Sequence, residues 1–163
     1  MKNYDVIVIG AGHAGVEAAI ASDRIGAKTA LVSFSKDDLG IMSCNPAMGG
    51  LGKGHLIREI DAMGGVIGRA SDSSGIQFRM LNKTRGEAVQ GPRAQIDREK
   101  YKKNIRFFVN ESGVEILESE VKNIITTKKA GGAYVQGIET STLGKMFCKS
   151  LIGTTGTCLS GVS

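Results

Sequence analysis

The feature that most constrains the fold is a strand–turn–helix signal close to the first residue. An apolar, β-branched run at residues 4–9 ends at a glycine, and an alanine-rich helical stretch at 14–25 follows. Between them lies Gly-Ala-Gly-His-Ala-Gly, which carries the G-x-G-x-x-G pattern of dinucleotide-binding folds. We interpret this segment as a cofactor-binding turn, and a plain strand-to-helix turn is the alternative. Its residues are Gly10, Ala11, Gly12, His13, Ala14 and Gly15.

Each glycine of the pattern has its own physical role. Gly10 allows the chain to turn sharply, Gly12 lets the backbone approach a pyrophosphate, and Gly15 lets the helix pack closely on the sheet. The first turn of the helix offers N–H groups and the positive end of its dipole to the phosphates. Glycine makes up 23 of the 163 residues, so the pattern alone carries little weight. Its position directly after a strand signal supports the interpretation.

The composition is that of a globular chain of ordinary domain size, with 41% hydrophobic and 23% charged residues. No apolar run approaches the ~20 residues of a membrane span, and no secretory signal is visible. The three cysteines, Cys44, Cys148 and Cys158, are odd in number and widely spaced. We therefore expect neither a disulfide scaffold nor a metal site, and we expect a cytoplasmic location.

The net charge of +5 is concentrated in the middle third of the chain. Residues 53–106 contain 12 Lys/Arg and 6 Asp/Glu, a surplus of six positive charges. A solvated surface is one interpretation, and a face that binds a polyanion such as nucleic acid is the other. The residues that we select as candidate nucleic-acid contacts are Arg79, Lys83, Arg85, Arg93, Lys102, Lys103 and Arg106.

A second parallel strand is predicted at residues 28–33, after the first helix. In dinucleotide-binding folds an acidic residue usually ends this strand and binds the ribose hydroxyls. Here Ser33, Phe34 and Ser35 occupy that place, and the nearest acids are Asp37 and Asp38. A hydroxyl or a backbone group therefore holds the ribose, or the adenosine lies differently.

The middle of the chain predicts a long glycine-rich loop, a short helix and a longer helix capped by Asp97. A loop of this length is uncommon unless it has a function. In chain order the predictions are a loop at 39–54, a helix at 55–63, a short strand at 76–81, a turn at 91–95 and a helix at 98–111.

The last third predicts an antiparallel β-meander followed by one more parallel strand. The meander extends over about 114–148, and the closing strand ends before a Thr-Thr-Gly-Thr turn. The strand signals lie at 114–117, 121–127, 133–139, 145–147 and 149–153.

Taken together, this order of elements resembles the FAD domain of glutathione-reductase-like flavoproteins. Three segments narrow the resemblance: Met-Ser-Cys-Asn-Pro-Ala at 42–47, the glycines at 49–54, and Gly-Pro-Arg-Ala-Gln at 91–95. With the glycine turn they are similar to the GidA/MnmG family, the tRNA uridine 5-carboxymethylaminomethyl modification enzymes. The resemblance extends over essentially the whole chain.

The resemblance implies an α/β, Rossmann-like FAD-binding domain of the glutathione-reductase type with an antiparallel β-meander. It implies that residues 1–163 form only part of that domain, without the NADH-binding insert and the C-terminal helical domain of the family. The family adds a carboxymethylaminomethyl group to C5 of the tRNA wobble uridine, together with a GTPase partner. It uses FAD, NADH and a reduced folate.

The resemblance also implies roles for individual residues. Gly10 to Gly15 match the FAD pyrophosphate loop, and Val121 matches a position where the backbone meets the adenine side of FAD. Cys44 matches a cysteine considered catalytic, whose thiolate can add to C6 of a uracil ring and make C5 nucleophilic. Apart from the resemblance, activation of that thiol requires a lowered pKa, and Lys53 or His55 could contribute to it.

Two further hypotheses about the function remain compatible with the sequence. One is a folate- and FAD-dependent tRNA methyltransferase, which shares the fold but is disfavoured by the Ser-Cys-Asn-Pro loop at 43–46. The other is a non-catalytic remnant that binds a nucleotide. We expect a positioning or packing role for His13, and structural roles for Cys148 and Cys158.

Overall fold

The computed structural model describes residues 2–42, 45–129 and 131–156. Cys44 and Cys158 lie outside the described residues. The chain divides into two compact units. The first unit combines the residues up to Leu39 with those from Val109 onward, and the second extends from Gly40 to Phe108.

The helices and strands are numbered here in chain order. The first unit contains β1 Lys2–Ile9, α1 His13–Arg24, β2 Thr29–Ser33, β6 Glu115–Glu118, β7 Val121–Lys129, β8 Gly132–Thr140 and β9 Gly144–Gly153. The second contains β3 Ala47–Gly49, α2 Lys53–Ala62, α3 Ile67–Ser74, β4 Gly75–Leu81 and β5 Gly91–Ile96. Helix α4, Arg98–Asn110, begins in the second unit, and short 3-10 helices lie at Lys36–Asp38 and Glu87–Val89.

The first unit is built on a six-stranded sheet in the order β6-β2-β1-β9-β8-β7. The first four strands pair in parallel, and β8 and β7 extend the sheet in antiparallel pairing. Its centre is β1, which pairs with β2 from Val6 to Ile9 and with β9 along its whole length. This is the mixed α/β arrangement that the sequence predicts.

The centre of this sheet is apolar because parallel strands are covered on both faces. Every residue of β2 is buried. Ile7, Ala30, Val32 and Ile138 form the centre of the core cluster and have no exposed surface. These residues account for the continuous, β-branched strand signals in the sequence.

Two details of the predicted meander are wrong. The signal at 114–117 becomes β6, which pairs in parallel with β2 rather than in the meander. The signals at 145–147 and 149–153 are one continuous strand, β9, which pairs with β8 at its start and with β1 from Met146 to its end. Which strands pair depends on contacts between residues far apart in the chain, and local sequence patterns do not specify these contacts.

The second unit contains a three-stranded antiparallel sheet in the order β3-β5-β4. The predicted strand at 76–81 is confirmed as β4, but the turn predicted at 91–95 is wrong, because this segment forms the central strand β5. Strand β3 pairs only with residues 93–95 of β5. Pro92 lies beyond this pairing, so the backbone N–H that proline lacks is not needed for a hydrogen bond to β3. Pro92 still pairs with Met80 on the other side.

The helices of the second unit agree with the sequence in part. Helix α4 begins where predicted, and the Asp97 carboxylate accepts a hydrogen bond from the Lys100 N–H at 3.0 Å. Helix α2 begins at Lys53, two residues earlier than predicted. Helix α3 was not predicted, because its glycine and four serines and aspartates have low helix propensity. Among the described residues, no helix combines the length and hydropathy needed to cross a bilayer.

Candidate functional site

The glycine-rich turn joins β1 to α1 at the carboxyl edge of the parallel sheet. Gly10 has a φ of +101°, which a residue with a side chain rarely adopts. A Cβ there would also collide with the carbonyl of Thr154. The N–H of Gly10 donates to the carbonyl of Val32 at 2.8 Å. The sharp turn predicted for this position is therefore present, and only glycine fits it.

Gly15 allows α1 to begin directly against this turn. A Cβ at Gly15 would overlap the carbonyl of Gly10 and would lie 2.7 Å from the Thr154 hydroxyl. Even alanine would force the helix away from the strand ends. The close packing predicted for the third glycine is therefore the packing of α1 on the turn itself.

Thr154, directly after β9, fixes the turn from the other side. Its N–H donates to the carbonyl of Ile9 at 2.8 Å. Its hydroxyl lies 2.7 Å from the same carbonyl and 3.1 Å from that of Gly10. The sequence singled out only a Thr-Gly turn here, and it offered no signal that this hydroxyl reaches β1. The long-range pairing of β9 with β1 brings it there.

Gly12 faces open space, unlike its two neighbours in the pattern. A Cβ at this position would meet no atom within 4 Å. Gly12 is the N-cap of α1 and provides no side-chain cap, and no acidic residue lies in the first turn. The first intrahelical bond runs from the Val16 N–H to the Gly12 carbonyl at 3.0 Å. The helix start thus fits the pyrophosphate of a dinucleotide, with a positive dipole end and room for close approach.

A carboxylate does lie at the end of β2, although the sequence order hides it. Oδ2 of Asp38 accepts hydrogen bonds from the Ser33 hydroxyl at 3.1 Å and from the Ser35 N–H at 3.0 Å. Ser35 caps the short 3-10 helix, and this helix places the Asp38 side chain beside the end of β2. The S-x-x-D spacing of Ser35 and Asp38 is a capping-box signal that would have identified this residue.

Val121 begins β7, which lies at the opposite end of the strand order from β6 and β2. It pairs with Thr140, and its side chain packs against the core cluster. Two residues earlier, the Ser119 N–H donates to the Ser33 carbonyl at 2.8 Å, which connects this segment to the end of β2. The glycine turn and Asp38 therefore follow the carboxyl ends of the neighbouring strands β1 and β2, where α/β sheets bind ligands, and Val121 is connected to the end of β2 through Ser119.

The loop of Cys44 belongs to the second unit, and Cys44 itself lies outside the described residues. The Lys53 ammonium donates to the Ala47 carbonyl at 3.3 Å. Nδ1 of His55 accepts from the Gly52 N–H at 3.2 Å. Both side chains therefore help to hold the loop-to-helix junction, and a role for either in activating the thiol stays a prediction.

Cys148 has the environment of a packed thiol. It lies half-buried in β9 and packs against the core cluster. Burial raises the pKa of this thiol, which disfavours the reactive thiolate. This agrees with the structural role expected from the sequence.

All seven basic residues selected as nucleic-acid contacts lie in the second unit. Arg79 and Arg93 pair across β4 and β5. Lys83 and Arg85 lie in the turn after β4, where the side-chain amide of Gln90 donates to the Arg85 carbonyl at 2.9 Å. The other three, Lys102, Lys103 and Arg106, belong to α4.

Comparison with known proteins agrees with this geometry. The sequence profile of the family described as GIDA, glucose inhibited division protein A, matches residues 5–163. The tRNA uridine 5-carboxymethylaminomethyl modification enzyme MnmG of Aliarcobacter butzleri is 46% identical over 161 residues. That match includes 98% of this chain and 25% of the relative, so the chain spans about a quarter of its length.

Solved structures give the same result for the fold. GidA of Aquifex aeolicus in its form I crystal superposes with a TM-score of 0.88 at 46% identity, over 96% of this chain and 26% of that chain. Pseudomonas aeruginosa PqsL shares the fold at 16% identity, with a TM-score of 0.69 over 95% of this chain and 43% of that chain. The profile match over nearly all residues, together with the glycine turn, establishes that this chain belongs to the GidA family.

Proposed function

We propose that this chain is the FAD-binding portion of an enzyme that modifies the wobble uridine of tRNA. The observation that carries the proposal is the turn between β1 and α1, closed by Thr154 and open at Gly12, in a chain 46% identical to MnmG. The reaction would add a carboxymethylaminomethyl group at C5 of uridine. The odd number of widely spaced cysteines supports a cytoplasmic setting.

Different residues at the strand ends would bind different parts of the cofactor. The backbone at Gly12 and the first turn of α1 would hold the pyrophosphate, with Gly10, Ala11, His13, Ala14 and Gly15 forming the rest of the turn. Asp38 and Ser33, which share a hydrogen bond at 3.1 Å, would face the ribose hydroxyls. The backbone of Val121 would meet the adenine side. FAD bound here supplies redox chemistry for the modification.

Cys44 would act as the nucleophile toward the uracil ring. Addition of its thiolate to C6 places negative charge at C5 and makes that carbon nucleophilic. The glycines of the loop that follows, with positive φ at Gly49, Gly50 and Gly52, allow tight backbone turns beside it. In the same proposal NADH would serve as the reductant, a reduced folate as the carbon donor, and a GTPase as the partner.

The basic residues of the second unit would contact the tRNA. The 12 Lys/Arg and 6 Asp/Glu of residues 53–106 give this unit a positive charge that attracts phosphates. Few aromatic side chains lie among them, so shape and phosphate contacts would dominate recognition. A non-catalytic remnant and a methyltransferase relative are both less consistent with the close match to MnmG.

The test substitutes Gly12 and measures binding of FAD. A Cβ at Gly12 meets no protein atom, so Gly12→Ala should fold normally and obstruct only a ligand that approaches the backbone. We expect an affinity loss of about tenfold or more, measured by flavin fluorescence titration of the 163-residue chain.

Gly86→Ala is the matched control for this test. Gly86 also has open space around its Cβ position and a φ of −57°, so alanine fits there without strain. Both variants should keep the melting temperature of the parent chain. Unchanged FAD affinity in Gly12→Ala, or an equal loss in Gly86→Ala, would contradict the proposed cofactor site.

A further inference from the structure

A link of two residues, Ser119 and Glu120, joins β6 to β7, and these strands are the first and the last in the order of the six-stranded sheet. In a flat sheet the two strands would lie about 24 Å apart, because neighbouring strands are about 4.8 Å from each other. The backbone from Glu118 to Val121 spans at most about 11 Å. The sheet therefore curls until the start of β7 lies close to the end of β6, and the link lies where the two ends of the sheet meet.

The core of the first unit agrees with this curl. Leu117 of β6 and Ile138 of β8 belong to the same buried cluster, and Val121 of β7 packs against it. Three strands separate β6 from β8 in the strand order. Side chains from both ends of the sheet therefore share one core, on the inner face of the curl.

Three hydroxyl groups, those of Ser119, Ser141 and Thr142, connect the link to the turn between β8 and β9. Oγ of Ser119 lies 2.8 Å from Oγ1 of Thr142 and 3.3 Å from Oγ of Ser141, and it accepts a hydrogen bond from the Thr142 N–H at 3.2 Å. The Glu120 N–H donates to the Ser141 hydroxyl at 3.3 Å, and the Ser141 N–H donates to the Glu120 carbonyl at 2.9 Å. Ser119 is only 5% exposed, so water competes little for its hydrogen bonds.

The same link is bonded to the end of β2 and to the segment that contains Asp38. The Ser119 N–H donates to the Ser33 carbonyl at 2.8 Å, and the Ser33 hydroxyl lies 3.1 Å from the Asp38 carboxylate. The Lys36 N–H, in the 3-10 helix that carries Asp38, donates to the Glu118 carboxylate at 2.9 Å. Asp38 is therefore connected by two routes to the residues that directly precede Val121.

We propose that Ser119 is a positioning residue for the adenosine half of the dinucleotide. Its hydroxyl holds the link in place against the turn between β8 and β9. This fixes the Val121 backbone, which would meet the adenine, relative to the Asp38 carboxylate, which would face the ribose. Ser119 acts through these two neighbours and does not itself touch the cofactor. The inference rests on the proposed FAD site and adds a residue to it.

The pyrophosphate half of the site is held by a different set of bonds. The Thr154 hydroxyl lies 2.7 Å from the Ile9 carbonyl, and the Gly10 N–H donates to the Val32 carbonyl at 2.8 Å. Loss of the Ser119 hydroxyl leaves these bonds in place. It should therefore weaken the binding of ligands that contain adenosine and leave the binding of inorganic pyrophosphate unchanged.

The test uses adenosine diphosphate and inorganic pyrophosphate as competitors of FAD in flavin fluorescence titrations of the 163-residue chain. Ser119→Ala should lower the affinity for FAD and for adenosine diphosphate about three- to tenfold, with no change for pyrophosphate. Gly12→Ala should lower the affinity for all three ligands. A merely structural role of Ser119 would lower the melting temperature and leave the ratio of the adenosine diphosphate and pyrophosphate affinities as in the parent chain.

Thr142 offers a second pair of variants for the same contact. Thr142→Val removes the hydroxyl that lies 2.8 Å from that of Ser119 and keeps the shape of the side chain, whereas Thr142→Ser keeps the hydroxyl. Thr142→Val should lower the affinity for adenosine diphosphate, and Thr142→Ser should bind it as the parent does. The loss in the double variant of Ser119→Ala and Thr142→Val should be smaller than the sum of the two single losses. Thr142 is exposed, so this pair tests the contact even if Ser119→Ala folds poorly.

Ser22→Ala is the matched control, because it removes a buried hydroxyl of α1 that donates to the Ala18 carbonyl at 2.7 Å. It should change neither affinity. An unchanged affinity ratio in Ser119→Ala and Thr142→Val, or an equal change in Ser22→Ala, would overturn the inference and leave the FAD site in place. A parent chain that binds neither FAD nor adenosine diphosphate would overturn the proposed function as well, so the two failures are distinguishable.

Discussion

Cys44 is the residue on which the proposed chemistry depends. It lies between Met42, which is buried, and Pro46, whose carbonyl accepts a hydrogen bond from the Ile96 N–H at 2.6 Å. The strand that follows, β3, is only three residues long and pairs with β5. The end of this segment at Pro46 is thus fixed to the sheet of the second unit.

Replacing this thiol tests its role directly. In the full-length enzyme, Cys44→Ser should abolish uridine modification because a hydroxyl is a far weaker nucleophile than a thiolate. The flavin absorbance should remain, because the glycine turn is unchanged. Mass analysis of nucleosides from tRNA treated with each protein measures the outcome.

Cys148→Ser is the control for that experiment. The Cys148 thiol is half-buried and its pKa is raised by burial, so it contributes packing rather than reactivity. This variant should keep its activity. Normal modification by Cys44→Ser would eliminate Cys44 as the nucleophile.

At the scale of elements, one carboxylate connects strands that are not neighbours. Glu115 of β6 accepts a hydrogen bond from the Tyr4 hydroxyl of β1 at 2.7 Å, and the Lys2 ammonium forms an ion pair with it. Strand β2 lies between β1 and β6. These two partners lower the pKa of Glu115, and burial together with the carboxylate raises the pKa of Tyr4.

This connection predicts a pH-dependent difference in stability. Since the folded-state pKa of Glu115 is lowered, its contribution is present above the unfolded value of about 4.3 and is lost as the pH falls through the folded value. Glu115→Gln should therefore melt below the parent chain at pH 7, and the difference should narrow toward about pH 3. Melting curves from pH 7 to about pH 3 measure it.

Asp5 does not disturb this comparison. The Lys149 ammonium lowers its pKa, and that contribution is the same in both proteins. Glu111→Gln changes an exposed glutamate after α4 and is the matched control. A difference in melting temperature between Glu115→Gln and the parent that stays the same at all pH values would show that the ionised Glu115 carboxylate has no special role.

The elements also show which features local sequence determines. The turn at Gly10 to Gly15 was predictable, because positive φ and close packing are steric demands that only glycine meets. The strand at Gly91–Ile96 was not, because a Gly-Pro pair indicates a turn unless two other strands pair with it. The carboxylate of Asp38, for which we propose a role at the ribose, does not directly follow β2 in the chain, and only the capping-box spacing of Ser35 and Asp38 indicates that it lies at the strand end. Thr154 reaches the turn only through the pairing of β9 with β1.

At the scale of the whole molecule, charge is divided unevenly between the two units. The surplus of six positive charges in residues 53–106 lies within the second unit, and the rest of the chain is close to neutral. Electrostatic attraction of a polyanion would therefore act through one unit. The other unit contains the glycine turn and the parallel sheet.

RNA binding should accordingly depend strongly on salt. Each phosphate contact contributes a slope of about −0.7 to the plot of log affinity against log salt for single strands. Changing Lys102, Lys103 and Arg106 together to Gln should reduce the slope by about 2, measured by filter binding at about 50–200 mM salt. A parent slope near zero would refute the basic surface, and Lys128→Gln should leave the slope unchanged.

The bond between Thr154 and the Gly10 turn has a consequence for the order of folding. The two partners are 144 residues apart in the chain. During synthesis, β1 and α1 leave the ribosome long before Thr154 does, and the turn then lacks the hydroxyl that closes it. Loop-closure entropy makes such distant contacts late events in folding. In the proposed cofactor site, the turn is therefore complete only when nearly all of these residues have been made, and binding of the dinucleotide would follow the completion of this sheet.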